Sequence, residues 1–259
     1  MTGLRLLAHQ FRYDQRLFWR NPATVFFSVA LPLIFLLLLG AVFGSAGERD
    51  AVYGLLADQY LVPAIMTLGI VSATFVNMAI SITFQRELGV LKRLRGTPLP
   101  TWTFVGARTV TAVVNAALIA AVIMVAGMLI YGVDVSATRV LGIAISTVVG
   151  AAAFCALGFA ATVVIPSQSA APAIANVMVL PLYFISGVFG QTDELPGWLA
   201  DIGRFFPIQH LGACLFQSFS PDATGIGMRF KDLGVVIAWG LAGLAIASLK
   251  FRWEPRESR

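Results

Sequence analysis

The stretch FQRELGVLKRLRGTPLP, residues 84–100, lies between two long apolar runs and gathers Arg86, Lys92, Arg93 and Arg95 into a few turns of chain. Its surroundings decide its meaning. The chain has 259 residues, 58% hydrophobic and 12% charged, about half the charged share of an ordinary soluble domain. That leaves too little polar surface to solvate a globule of this size, so the sequence reads as a membrane protein.

Working outward, apolar runs of roughly 18 or more residues fall at 24–43, 60–82, 104–130, 140–165 and 233–249. A weaker one at 170–189 carries Pro172 and Pro181, which membrane helices tolerate where neighbours satisfy the freed carbonyls. The expected fold class is an all-α integral membrane protein with six transmembrane helices, no repeat and no separate soluble domain. An N-terminal surface segment, 1–23, precedes the spanning domain, 24–259.

Basic residues set the expected orientation. Arg5, Arg12, Arg16 and Arg20 precede the first span, the quoted loop follows the second, and Lys250, Arg252, Arg256 and Arg259 follow the last. The alternate loops are enriched in Asp and Glu, including Glu48, Asp50, Asp58, Asp134, Asp193, Glu194, Asp201, Asp222 and Asp232. By the positive-inside rule, both termini and the quoted loop are cytoplasmic. The net charge of +5 is thus a topology signal, and no nucleic-acid partner is expected. A GSA at 44–46 follows a run longer than a signal-peptide core, so an uncleaved first span is expected.

The chemistry-bearing residues exclude several functions. Asp, Glu and Lys fall in loops or tails; Asn77, Asn115 and Asn176 are the most polar residues well inside the spans, with Arg108 near a cytoplasmic end. An ion-driven carrier needs an intramembrane carboxylate or histidine, so that class is disfavoured. His9 and His210 lie outside the apolar cores and form no catalytic or metal-ligand spacing, while Cys155 and Cys214 read as packing residues. Lys92, Lys231 and Lys250 are followed by Arg, Asp and Phe, so no phosphate-binding GxxxxGK[ST] loop exists. No cofactor is expected in the chain; a pump built on it would draw its energy from a partner. The asparagines are candidates to line a substrate path, with hydrogen bonding between helices as the alternative. Gly40 and Gly44 read as a close-packing pair.

Three features point to a complex. On a helical wheel Arg5, His9, Arg12, Arg16 and Arg20 share one strip, with Leu4, Leu7, Phe11 and Phe18 roughly opposite: an amphipathic helix at the cytoplasmic surface, facing lipid phosphates or a partner. Asp14 interrupts its apolar side. In the quoted loop Leu88, Leu91 and Leu94 form a stripe on a short helix, with Glu87 at its start, Lys92, Arg93 and Arg95 towards its end, Gly96 as a left-handed cap and Pro98 beyond. Such a helix suits a groove in another protein. Thirdly, 190–232 is too long and apolar for a plain loop. Asp193 or Glu194 can cap a helix starting near Pro196, with Trp198, Ile202, Phe205 and Phe206 as an apolar stripe and candidate outer gate; Leu211, Cys214, Leu215 and Phe219 allow a second.

Taken in order, RNPATVFFSVALPLIFLLLLGAVFG, FQRELGVLKRLRGTPLP and LPLYFISGVFGQTDELPGWLADIGRFFPIQH resemble the permease subunit of ABC-2 type exporters along nearly the whole chain. Glu87, Gly89, Leu91, Lys92, Leu94, Thr97 and Pro98 match that family's pattern in the middle segment. The resemblance implies a type V ABC exporter-like fold in a bacterial or archaeal cell membrane. It implies paired permeases, an interfacial helix, a coupling helix at about 86–96 seated on an ABC ATPase that binds ATP and magnesium, and short re-entrant outer helices. The segments are most similar to the drug and antibiotic branch, which implies a hydrophobic or amphiphilic cargo. Export of lipid or polysaccharide, and a non-transporting membrane anchor or assembly factor, stay open as alternatives.

Overall fold

A computed structural model describes residues 3–43, 52–96, 100–189 and 196–250, apart from the side chains at 23, 24, 27, 43, 95 and 101. Gly44, Thr97, Pro98, Asp193, Glu194, the basic tail from 252 and the side chain of Arg95 therefore lie outside the described residues. Everything described is helix, turn or short connection, without a β-strand among the described residues.

The chain opens with α1 (Gly3–Arg20), then α2 (Pro22–Val25), a π-helical turn (Phe26–Ala30) and α3 (Leu31–Phe43). Next come α4 (Ala57–Val71), a second π turn (Ser72–Val76) and α5 (Asn77–Glu87), which run on as one helix. The quoted stretch holds α6 (Val90–Arg95), and α7 (Thr101–Ile130) and α8 (Ala137–Ala161) follow. The remainder is α9 (Ala171–Ile185), α10 (Gly197–Phe205), α11 (Pro207–Phe219) and α12 (Phe230–Lys250).

Among the described residues four helices are long and apolar enough to cross a bilayer: Ala57–Glu87, Trp102–Ile130, Ala137–Ala161 and Phe230–Lys250. The other two expected spans appear as shorter apolar helices, Ser28–Val42 and Ala171–Ile185. Fifteen helical residues rise only about 22 Å, less than a hydrocarbon core of about 30 Å. The π turns and prolines fall within these apolar helices. Thr67 Oγ1 donates to the Pro63 carbonyl at 2.8 Å and Thr74 Oγ1 to that of Ile70 at 2.6 Å, so hydroxyls supply extra bonds where the ladder is irregular.

α8 is the central helix, packed by α12, α7, α11 and the α4–α5 helix. Small residues allow this. A methyl added at Gly240 would stand 2.8 Å from Cβ of Ala153, and one at Gly243 2.9 Å from the Ala156 backbone, so α12 and α8 touch backbone to backbone. Gly40, expected to pack closely, is buried against the Tyr131 ring.

α1 lays most of the side that its wheel marks as apolar against α7. Leu7 packs at Gly106, Gly3 at Trp102, Asp14 pairs with Arg108 and Gln15 with Asn115, so α1 runs beside the first turns of α7 in the same direction. Its arginines are exposed as expected and Phe18 is buried, but Leu4, placed on the apolar side, is 74% exposed. The 30 residues of α7 rise about 45 Å, roughly 15 Å more than a bilayer core requires. The polar seat for α1, from Arg108 to Asn115, takes up part of that excess.

Candidate functional site: the corner between α5 and α7

The corner is built from one charged pair, one glycine and one leucine. α5 ends on Arg86 and Glu87, and Gly89 then adopts the left-handed conformation with φ 68°. Only glycine holds φ in this range without Cβ strain. The sequence reading placed the left-handed residue at Gly96, but that residue is right-handed, with φ −76°. The bend therefore comes at the start of α6, not at its end.

This bend breaks the expected leucine stripe. Leu88 belongs to the turn before α6, out of phase with Leu91 and Leu94. Leu91 is fully buried in a cluster with Met78 and Ile82 of α5, Phe104 and Ala112 of α7, and Cys155 and Phe159 of α8, with Leu94 half-buried against it. Leu88 is 60% exposed, beside exposed Lys92 and Arg93. Leu91 is thus the anchor of α6, and the face offered outward is Leu88, Lys92 and Arg93.

Arg86 is 2% exposed. Its guanidinium donates to the carbonyls of Thr162 and Ile165, both at 2.8 Å. These lie at the C-terminal end of α8, where unpaired carbonyls and the helix dipole favour a cation. The next residue does the opposite: Glu87 Oε1 accepts the backbone N–H of Gln168 at 2.8 Å, three residues before α9 begins. Glu87, expected to cap the short helix, instead joins Arg86 in clamping the turn between α8 and α9.

The three span asparagines separate. Asn115 is buried and accepts a bond from Gln15 Nε2 at 3.1 Å, a link between helices. Asn77 and Asn176 are exposed on the surface of the bundle; Asn176 Nδ2 donates to its own helix at Pro172 O, 2.8 Å. Near Asn115, burial raises the Asp14 carboxyl above its ordinary range, opposed by Arg108, whose Nε stands 3.7 Å away, and by the bond from Gln10.

The candidate gate lies at the other end of the bundle. α10 buries Ala200 and Gly203, the latter against the Ile185 carbonyl, while Trp198, Ile202 and Phe205 face outward. Phe206, in the extended link to α11, stacks on Trp239 at 5.7 Å, and Trp239 Nε1 donates to the Phe205 carbonyl at 3.0 Å. α11 is buried along most of its length, Leu211, Cys214, Leu215 and Phe219 included. No spacing in the sequence marks the group that fixes it. His210 Nδ1 meets Asp232 Oδ1 at 2.6 Å and its Nε2 meets the Arg204 carbonyl at 2.8 Å, while Arg229 Nε lies 2.7 Å from Asp232 Oδ2. Both ring nitrogens thus have an oxygen partner. Among the described residues no group of three or more His, Cys, Asp or Glu side chains could hold a metal ion.

A bundle of apolar helices with a basic, glycine-hinged corner on one side and two short helices on the other has the plan of a membrane transport subunit. The pattern of the ABC-2 type transporter family matches residues 6–219, and the chain belongs to that family. It is similar to the "Putative transport permease ycf38" of Porphyra purpurea, 25% identical over 230 residues, 87% of this chain and 77% of that protein. The protein of the same name in Pyropia yezoensis is 25% identical over 225 residues, 86% and 75% of the two chains. The "Probable multidrug ABC transporter permease YbhR" of Escherichia coli K12 is 24% identical over 164 residues, 63% of this chain and 43% of that protein.

Proposed function

We propose that the chain is the permease subunit of an ATP-driven exporter that moves a hydrophobic or amphiphilic compound, powered by a separate ABC ATPase docked on α6. The observation that carries this is the outward face of α6: an exposed leucine and two cations, held by a buried anchor and a left-handed glycine. A buried pivot with a presented face suits an element that receives a push. In this reading all six apolar helices cross the membrane, the two short ones completed by neighbouring residues or by a locally thinner bilayer. Both termini and α6 are cytoplasmic. Two permease copies meet, and exposed Asn77 and Asn176 face the path between them, whereas Asn115 holds α1. The stripe Trp198, Ile202 and Phe205 then closes the outer exit against the second copy. The name of the Escherichia coli relative, a multidrug permease, supports an amphiphilic drug-like cargo.

The test is co-purification of the ATPase with the permease. Leu88→Asp and the charge reversal Lys92→Glu with Arg93→Glu should each abolish capture while leaving the permease folded. Normal capture by all of these variants removes α6 as the docking element.

A further inference from the structure

The pair Arg86 and Glu87 is more elaborate than a helix end needs. Two consecutive residues of opposite charge reach one turn, each to the backbone group of matching polarity: the cation to two carbonyls closing α8, the carboxylate to an N–H leading into α9. The turn is braced from within as well, since Ser167 Oγ accepts the Ala170 N–H at 3.2 Å and Thr162 Oγ1 donates to the Phe159 carbonyl at 2.6 Å. Phe159 lies in the cluster that buries Leu91. The root of α6 is therefore tied to the 162–170 turn twice, by packing through Leu91 and by charge-assisted bonds through Arg86 and Glu87. Beyond Gly89 the backbone can pivot; before it, this clamp gives no slack.

We infer that Arg86 and Glu87 are positioning residues that carry a displacement of α6 into the α8–α9 turn and so into α9. The inference rests on the docking reading above and adds its route. α9 is the fitting receiver: its start is held by the clamp, Pro181 removes one bond of its ladder, and its outer end meets α10 where Gly203 lies against the Ile185 carbonyl. A push at the basic corner thus has a route through the clamp's hydrogen bonds and along α9 to a packing contact, Gly203 on the Ile185 carbonyl, with the helix that carries the candidate gate.

The experiment is hydrogen–deuterium exchange on the permease–ATPase complex in nanodiscs of phosphatidylethanolamine and phosphatidylglycerol, with and without MgATP plus vanadate. In the wild type, nucleotide should change exchange in peptides over α6 and over 162–185. Glu87→Ala and Arg86→Met should keep the response at α6 and lose that of α9. Without nucleotide, the amides of 167–170 should also exchange about tenfold faster, as expected for loss of a charge-assisted bond. Arg86→Lys, which keeps the charge but not the two-pronged reach, should give an intermediate response. Gln168→Ala should match the wild type, because only its backbone N–H is used. If Arg86→Met does not fold, Glu87→Ala and Arg86→Lys decide the matter. An α9 response that persists in the clamp variants overturns the inference. Absence of any response at α6 in the wild type overturns the docking reading itself, and the route with it.

Discussion

Two short-helix regions cap this bundle, and they are built in opposite ways. α6 shows its polar side, rests on one buried leucine and turns on Gly89. α11 hides nearly every residue and is stapled by His210, Asp232 and Arg229 to the start of α12. Both look amphipathic in sequence. The difference lies in what their apolar residues touch: α6 turns Leu91 and Leu94 onto its own chain while Leu88, in the turn before it, is offered outward, whereas α11 spends all of its apolar residues on the core. An amphipathic stripe fixes that a helix lies at a surface of something, not whether that surface belongs to its own chain.

The sharpest way to break this contrast is to place the same charge on either side of α6. Leu91→Asp puts a carboxylate among Met78, Ile82, Phe104 and Phe159 and should cost several kcal/mol, seen as lost monodisperse protein after detergent extraction. Leu88→Asp should leave the melting temperature unchanged. Equal destabilisation by the two would mean that α6 has no outward face.

At the other end, Asp232→Ala removes the carboxylate that His210 and Arg229 share and should destabilise the chain by about 2 kcal/mol, with the loss of exchange protection confined to α11 and the first turn of α12. A loss spread evenly over the bundle would show that α11 is not a stapled unit. A smaller effect is expected at the pivot. Gly89→Ala meets no atom within 4 Å, so its cost is backbone strain alone, about 1 kcal/mol, and thermal unfolding should register it without loss of ATPase capture.

The smallest effect concerns α1. Because burial raises the Asp14 carboxyl above its ordinary value of 3.8, the folded chain holds that proton more strongly than the unfolded chain does. Stability from this group is therefore greatest below the ordinary carboxylate range and declines as pH climbs through the raised folded value. Exchange protection of α1 should fall across that window in the wild type and stay flat in Asp14→Asn; identical profiles would place Asp14 in water.

Much of this was legible in the sequence. Hydropathy marked the apolar helices, because burial in lipid demands long unbroken runs. The inward turn of Leu91 was not, because it depends on which of two glycines goes left-handed: Gly96 sits where helix ends usually do so, yet the need arises at Gly89, where the chain leaves α5. The clamp was hidden for another reason. Arg86 reaches Thr162 across 76 residues and binds only its backbone carbonyl, so no side chain at the far end signals the bond. His210 and Asp232 were each noted, but their pairing needs α11 folded back on α12.

The glycine contacts of α12 on α8 also set how this bundle can deform. Where Gly240 and Gly243 press on Ala153 and Ala156, there are no flexible side chains between the two backbones to act as a bearing. Such a contact favours movement of the two helices together, and the irregular ladders at Phe26–Ala30, Ser72–Val76 and Pro181 of α9 are the places where the other helices bend most readily. A reporter attached at Lys250, the last residue of α12, would follow the motion of α8 from outside the bundle without touching it.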